Sequence, residues 1–128
     1  MTEYVELHAH SCFSLLDGAA FPETLAQRAA VLGIPALALT DHDAVYGAVQ
    51  FQKAAHDARI KPILGAELTL TGDRHLTLLV QDAAGWSNLC ALITAGRHSA
   101  EKGESRLKPE LLAQHSEGLI VLSGCRKR

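Results

Sequence analysis

The sequence predicts an α/β fold, with a mostly parallel sheet or barrel and helices alternating with its strands. Short apolar runs bounded by Pro, Gly or Thr alternate with stretches whose apolar residues recur at helical spacing. Ionisable residues cluster just after those runs, where α/β folds place ligands. The chain has 128 residues, 48% hydrophobic, which suits one small globular domain or part of a larger one. Its 12 Lys+Arg against 14 Asp+Glu give a formal net charge of -2. That balance excludes nucleic-acid binding by bulk positive charge, so any such contact must be local. No apolar run approaches the roughly 20 residues that span a bilayer, so no membrane association is expected, and the start MTEYVELHAH lacks a basic-then-apolar leader. Three widely spaced cysteines argue against a disulfide framework and for the reducing cytoplasm.

Residues Tyr4 to Leu7 alternate and predict a short strand ending in a His-rich turn, with a loop through Ala20. Pro22 opens a helix whose face carries Leu25, Ala29 and Leu32 before Gly33 stops it. Ala36 to Leu39 reads as a strand buried on both faces, and a second helix follows over about Val45 to Arg59. Pro62 to Leu70 predicts a third strand, broken or bent at Gly65, and His75 to Val80 a fourth after a short Gly-Asp turn. Ala84 to Ala95 is a third helix with Leu89, Leu92 and Ile93 on one side. After a polar surface connection, Ser99 to Lys108, Pro109 opens a brief helix to about His115, and Gly118 to Gly124 reads as a fifth buried strand.

The chemistry sits at the strand ends. His8 and His10 are two apart, so they project from one face and can share a metal ion. Asp17 lies in the following loop, Thr40-Asp41-His42-Asp43 follows the second apolar run, Glu67 follows Gly65-Ala66, and His75 and Cys125 adjoin strands. Imidazoles, carboxylates and a thiol together suit zinc, manganese or iron. Such a set can hold two or three ions and points to metal-assisted phosphoester hydrolysis. Asp41 and Asp43 flank His42 and are expected to hold an imidazole rather than a metal ion. Cys12, Cys90, Trp86 and Leu89 read as packing residues, and His56, His98 and His115 as solvated ones.

The segments ELHAHSCFSLLDGA, LALTDHDAVYGAVQF, IKPILGAELTL, HLTLLV and GLIVLSGCRK, in this order, resemble the polymerase-and-histidinol-phosphatase (PHP) domain at the N-terminus of bacterial DNA polymerase III alpha subunits. The short link from Glu67 to His75 and the GAELTL and SGCRK wording are most similar to the error-prone branch. The resemblance implies a distorted (β/α) barrel of which about five strands, the N-terminal portion, are present. It implies His8, His10, Asp17, His42, Glu67, His75 and Cys125 as ligands of two or three divalent ions in the complete domain. It also implies hydrolysis of phosphodiesters, as in 3′-5′ exonuclease action on a DNA 3′ end.

The partners implied are the remainder of the alpha subunit and, through it, the sliding clamp. The family's late Asp-x-His pair does not follow Cys125, so the chain is expected to be the N-terminal part of a PHP domain, poorly active alone and prone to self-association. Two rival readings remain open: a free-standing phosphoesterase of the histidinol-phosphatase type, and a structural module of the polymerase whose metals only stabilise it.

Overall fold

The computed structural model describes residues 3–124. Its elements are β1 (Glu6–Ala9), α1 (Pro22–Val31), β2 (Ala36–Leu39), α2 (Ala48–Asp57), β3 (Lys61–Leu70), β4 (Arg74–Val80), α3 (Ala83–His98), α4 (Pro109–Gln114) and β5 (Leu119–Ser123). Two units are distinguished: one holds the chain up to Asp41 together with Val45–Leu64, the other His42–Ala44 together with the chain from Gly65 on. Strand β3 contributes to both.

In the first unit, β1 pairs with β2, and β2 with the Lys61–Leu64 part of β3, all parallel. Parallel neighbours need a crossover, and α1 and α2 supply the two. Helix α1 starts on Pro22, whose fixed φ and missing N–H suit a first helical position, with Glu23 in the positive first turn. It ends before Gly33, whose φ of +70° turns the chain back toward β2. Between helices and strands lies a core of Ala26, Ala29, Leu37, Leu39, Phe51, Ala55 and Ile60. Phe51 is fully buried, and removing such a ring from water contributes about 1.5–3 kcal/mol.

The second unit departs from the expected parallel sheet. The Gly65–Leu70 part of β3 pairs antiparallel with β4, and β4 pairs antiparallel with β5. The physical reason is the link between β3 and β4: three residues, Thr71 to Asp73, cannot carry the dozen-residue crossover a parallel pair requires. Gly72 and Asp73 make the reversal at φ of +80° and +57°. Strand β3 is also continuous, not broken at Gly65; that residue marks instead where its partner changes from β2 to β4. Strand β5 is half-exposed rather than buried, with Ile120 and Val121 each 42% exposed. Helix α3 begins at Asp82, whose carboxylate accepts the Gly85 N–H at 2.9 Å. A side chain at position 85 would place its Cβ 2.0 Å from the Gly118 carbonyl oxygen, so this approach requires glycine. Buried Leu68, Leu70, Leu78, Leu89, Leu92 and Leu107 make the apolar interior of this unit.

Smaller shifts concern boundaries. The first strand begins at Glu6 and includes His8, and α2 begins at Ala48 because Val45 to Gly47 form a turn. Among the described residues no helix is long and apolar enough to cross a membrane.

Candidate functional site

In the first unit, His8 lies in β1, His10 just beyond it, and Asp17 in the loop that follows. The two imidazoles meet edge to face with centroids 4.9 Å apart, and His10 Nδ1 lies 2.6 Å from Asp17 Oδ2. What shapes this loop is Asp41, 1% exposed at the end of β2. Its Oδ1 accepts the Ser11 N–H at 2.6 Å and the Ser14 hydroxyl at 2.7 Å, and its Oδ2 accepts the Ser11 hydroxyl at 2.7 Å. Asp41 was expected to hold an imidazole; it holds the backbone and hydroxyls of the segment that carries His10. Gly18 closes the loop, where a Cβ would fall 2.0 Å from the Ser11 carbonyl oxygen.

In the second unit, one ligand atom each of His42, Glu67 and His75 lies within 4.8 Å of the others. Glu67 is 3% exposed, and a buried carboxylate needs partners. Its Oε2 is 2.7 Å from His42 Nδ1 and 4.0 Å from His75 Nδ1. The β3–β4 hairpin accounts for His75: in a parallel strand its position would lie at the far rim, but the reversal sets it opposite Thr69, two residues from Glu67 and on the same strand face.

Asp43, 9% exposed and at φ of +49°, ties this arrangement together. Its N–H donates to the Glu67 carbonyl at 2.9 Å. Its carboxylate accepts the Thr69 N–H and hydroxyl, both at 2.7 Å. Arg97 of α3 donates to its carbonyl through Nε (3.3 Å) and Nη2 (3.0 Å). Like Asp41, it holds backbone and hydroxyl groups and no imidazole directly.

Two imidazoles and a buried carboxylate, drawn from three segments and braced by further hydrogen bonds, are a donor set that could hold a divalent metal ion. Of the other candidates, Cys125 lies outside the described residues. His56 and His98 are exposed, and His115 Nδ1 contacts the Leu111 carbonyl at 3.0 Å. Cys12 and Cys90 are half-buried free thiols, and burial pushes the Cys90 thiol up from its ordinary value. Sequence reasoning missed Ser11, Ser14, Thr69 and Arg97; the available signal was the pair of acids flanking His42, which required buried partners.

The PHP domain family model matches residues 6–127. An error-prone DNA polymerase of Symbiobacterium thermophilum is 48% identical over 140 residues, covering 97% of this chain and 13% of that protein. The DNA polymerase III subunit alpha of Treponema pallidum is 40% identical over 136 residues, covering 95% of this chain and 12% of that protein. The chain therefore spans only about an eighth of these relatives. Among solved structures, a provisionally named metal-dependent phosphoesterase of Bifidobacterium adolescentis superposes with a TM-score of 0.63 at 25% identity, covering 77% of this chain and 34% of that one. An amidohydrolase of Chromobacterium violaceum with bound sulfate gives 0.62 at 34% identity, covering 74% and 34%. With the ordered motifs, the His–Glu–His grouping and a match across nearly every residue in agreement, the chain belongs to the PHP domain family.

Proposed function

We propose that this chain is the PHP region of a bacterial DNA polymerase alpha subunit of the error-prone type, acting in the cytoplasm as a metal-dependent phosphodiesterase on the 3′ end of DNA. The single observation that carries the reading is the match of 97% of the chain, at 48% identity, to an error-prone DNA polymerase. The ligands are His8, His10, Asp17, His42, Glu67, His75 and Cys125. Ions held by such residues supply charge for the phosphoryl oxygens and acidify water near neutral pH. The chain's own groups hold and orient: Glu67 is kept in place by His42 at 2.7 Å, and His10 by Asp17 at 2.6 Å.

The test uses the 128-residue chain, dialysed and then assayed for bound metal and for shortening of a 3′-labelled single-stranded oligonucleotide with manganese or zinc. The chain spans 34% of each solved neighbour, so the expected rate is low and the decisive comparison is with His42→Ala at equal metal. Loss of metal and of shortening in a variant that still melts cooperatively supports the reading. Metal content unchanged in His42→Ala and in a His8→Ala/His10→Ala double variant overturns it. The phosphoesterase neighbour makes a second substrate class worth an arm: faster turnover of p-nitrophenyl phosphate than of DNA assigns a small phosphomonoester instead. Cys125 as a ligand predicts slow alkylation with zinc present and fast alkylation after chelation; equal rates remove it from the set.

A further inference from the structure

We propose that Phe13 and Tyr46 form a stacking platform for a nucleobase of single-stranded DNA, beside the loop that carries His10 and Asp17. The inference rests on the reading of the chain as a phosphodiesterase of DNA ends and adds the contact by which such a site would take a base.

Because β1 and β2 run parallel, the loops that leave their ends emerge at one rim of the first unit, the rim at which α/β folds bind ligands. Phe13 stands in the first of these loops, between His10 and Asp17, and Tyr46 in the second. Their rings meet edge to face, with centroids 6.5 Å apart and planes at 67°. Such a pair engages the edge of one ring and one face of the other, so flat faces remain for a third planar group. Tyr46 is 68% exposed. Phe21, 64% exposed, precedes the Pro22 that packs with Phe13 around Gly47, so the open aromatic surface is contiguous. A lone exposed ring needs no explanation, but a contiguous apolar patch beside ionisable residues marks a binding site.

The platform is held from within the unit. Ser11, fixed by two hydrogen bonds to Asp41, accepts the Phe13 N–H on its hydroxyl at 3.2 Å. The Cys12 N–H donates to the Ala20 carbonyl at 2.8 Å and closes the loop. Gly47 allows Phe13 to sit close: a Cβ there would lie 3.0 Å from both Phe13 Cδ2 and Pro22 Cγ. Phe13 is thus braced by the segment that presents Tyr46. Stacking tolerates any sequence, because every base has a flat π-face. It also suits a chain of net charge -2, in which bulk attraction to phosphate is absent.

Fluorescence anisotropy of the 128-residue chain with zinc added tests the platform, comparing a short labelled oligothymidylate with an abasic oligomer of equal length and charge. The wild type should prefer the strand with bases. Tyr46→Ala should weaken that binding about 5- to 100-fold, and Tyr46→Phe, which keeps the ring, should restore it. Tyr4→Ala is the control for exposure alone: Tyr4 is 61% exposed but precedes β1, at the other end of the strand, and its loss should leave both affinities as they were. Should Tyr46→Ala fail to fold, Tyr46→Leu, apolar but without a ring face, decides in its place. Equal affinity of the wild type for the two strands, or oligothymidylate affinity of Tyr46→Ala within twofold of wild type, overturns the proposal. So does a changed oligomeric state of Tyr46→Ala on sedimentation with DNA binding intact, which assigns the ring to a protein contact. A chain that takes the base through Tyr46 yet shortens no DNA with manganese or zinc removes the hydrolase reading and leaves the platform; DNA shortened at wild-type efficiency by Tyr46→Ala removes the platform alone.

Discussion

Replacing Asp41 with Ala should destabilise the fold far more than its small change in apolar surface suggests. The carboxylate is 1% exposed and accepts three hydrogen bonds, from the Ser11 N–H and hydroxyl and from the Ser14 hydroxyl. Bonds to a charged group are worth about 1.5–3 kcal/mol each, but they are not additive, and the two hydroxyls can turn elsewhere. The Ser11 N–H cannot turn, and orphaning it costs about 1–3 kcal/mol. The orphaned N–H together with the lost hydroxyl bonds puts the expected loss at about 3–4 kcal/mol. With a urea m value of about 2 kcal/mol/M, the midpoint should fall by about 2 M. Asp41→Asn separates charge from shape. Its oxygen can still accept from the Ser11 N–H and the Ser14 hydroxyl, and its amide can donate to Ser11 Oγ, whose other lone pair keeps the Phe13 N–H at 3.2 Å. The three bonds survive without their charge assistance, for about 1–2 kcal/mol. Urea denaturation of the three proteins at constant m checks the ranking. A loss below 1 kcal/mol in Asp41→Ala, or equal losses in Ala and Asn, would refute the reasoning.

Gly18→Ala, with its Cβ 2.0 Å from the Ser11 carbonyl oxygen, should cost about 1–3 kcal/mol by thermal melting, whereas Gly33→Asn, at φ of +70° with nothing within 4 Å, should melt near wild type. Phe51→Ala empties the centre of its core and should cost about 3–5 kcal/mol in urea. Burial raises the Cys90 thiol, so at a fixed mildly alkaline pH less of it is thiolate in the folded chain than in the unfolded one. Iodoacetamide should therefore modify Cys90 more slowly without urea than with it, with the folded rate profile displaced to higher pH; coincident profiles would contradict the assignment.

Both βα crossovers were legible because their punctuation is chemical: Pro22 and Gly33 bracket α1, and Ala36 to Leu39 is too short and too apolar for anything but a buried strand. The direction of β4 and β5 was not. An apolar run has the same periodicity read either way, and only the three-residue link before Arg74 spoke for reversal. The buried reading of β5 failed for a related reason, since Leu-Ile-Val-Leu records β propensity without saying which faces are covered. Within the candidate site, histidines and acids stood out by type and spacing. Ser11, Ser14 and Thr69 did not, because a hydroxyl acquires its role only when register brings it within reach of a particular carboxylate. Arg97, 54 residues from Asp43, is the extreme case.

The three residues His42 to Ala44 belong to a unit otherwise built from Gly65 onward. Modularity in the folded chain and modularity along the gene therefore differ. Cutting between Leu64 and Gly65 would yield a piece that keeps Glu67 and His75 but has surrendered His42, the imidazole 2.7 Å from Glu67 Oε2. It would also lack Asp43, leaving the Thr69 N–H and hydroxyl without their acceptor. The piece from Gly65 onward therefore cannot carry the His42–Glu67–His75 grouping by itself, and recombination that keeps this grouping must carry the loop after β2 together with the hairpin that follows.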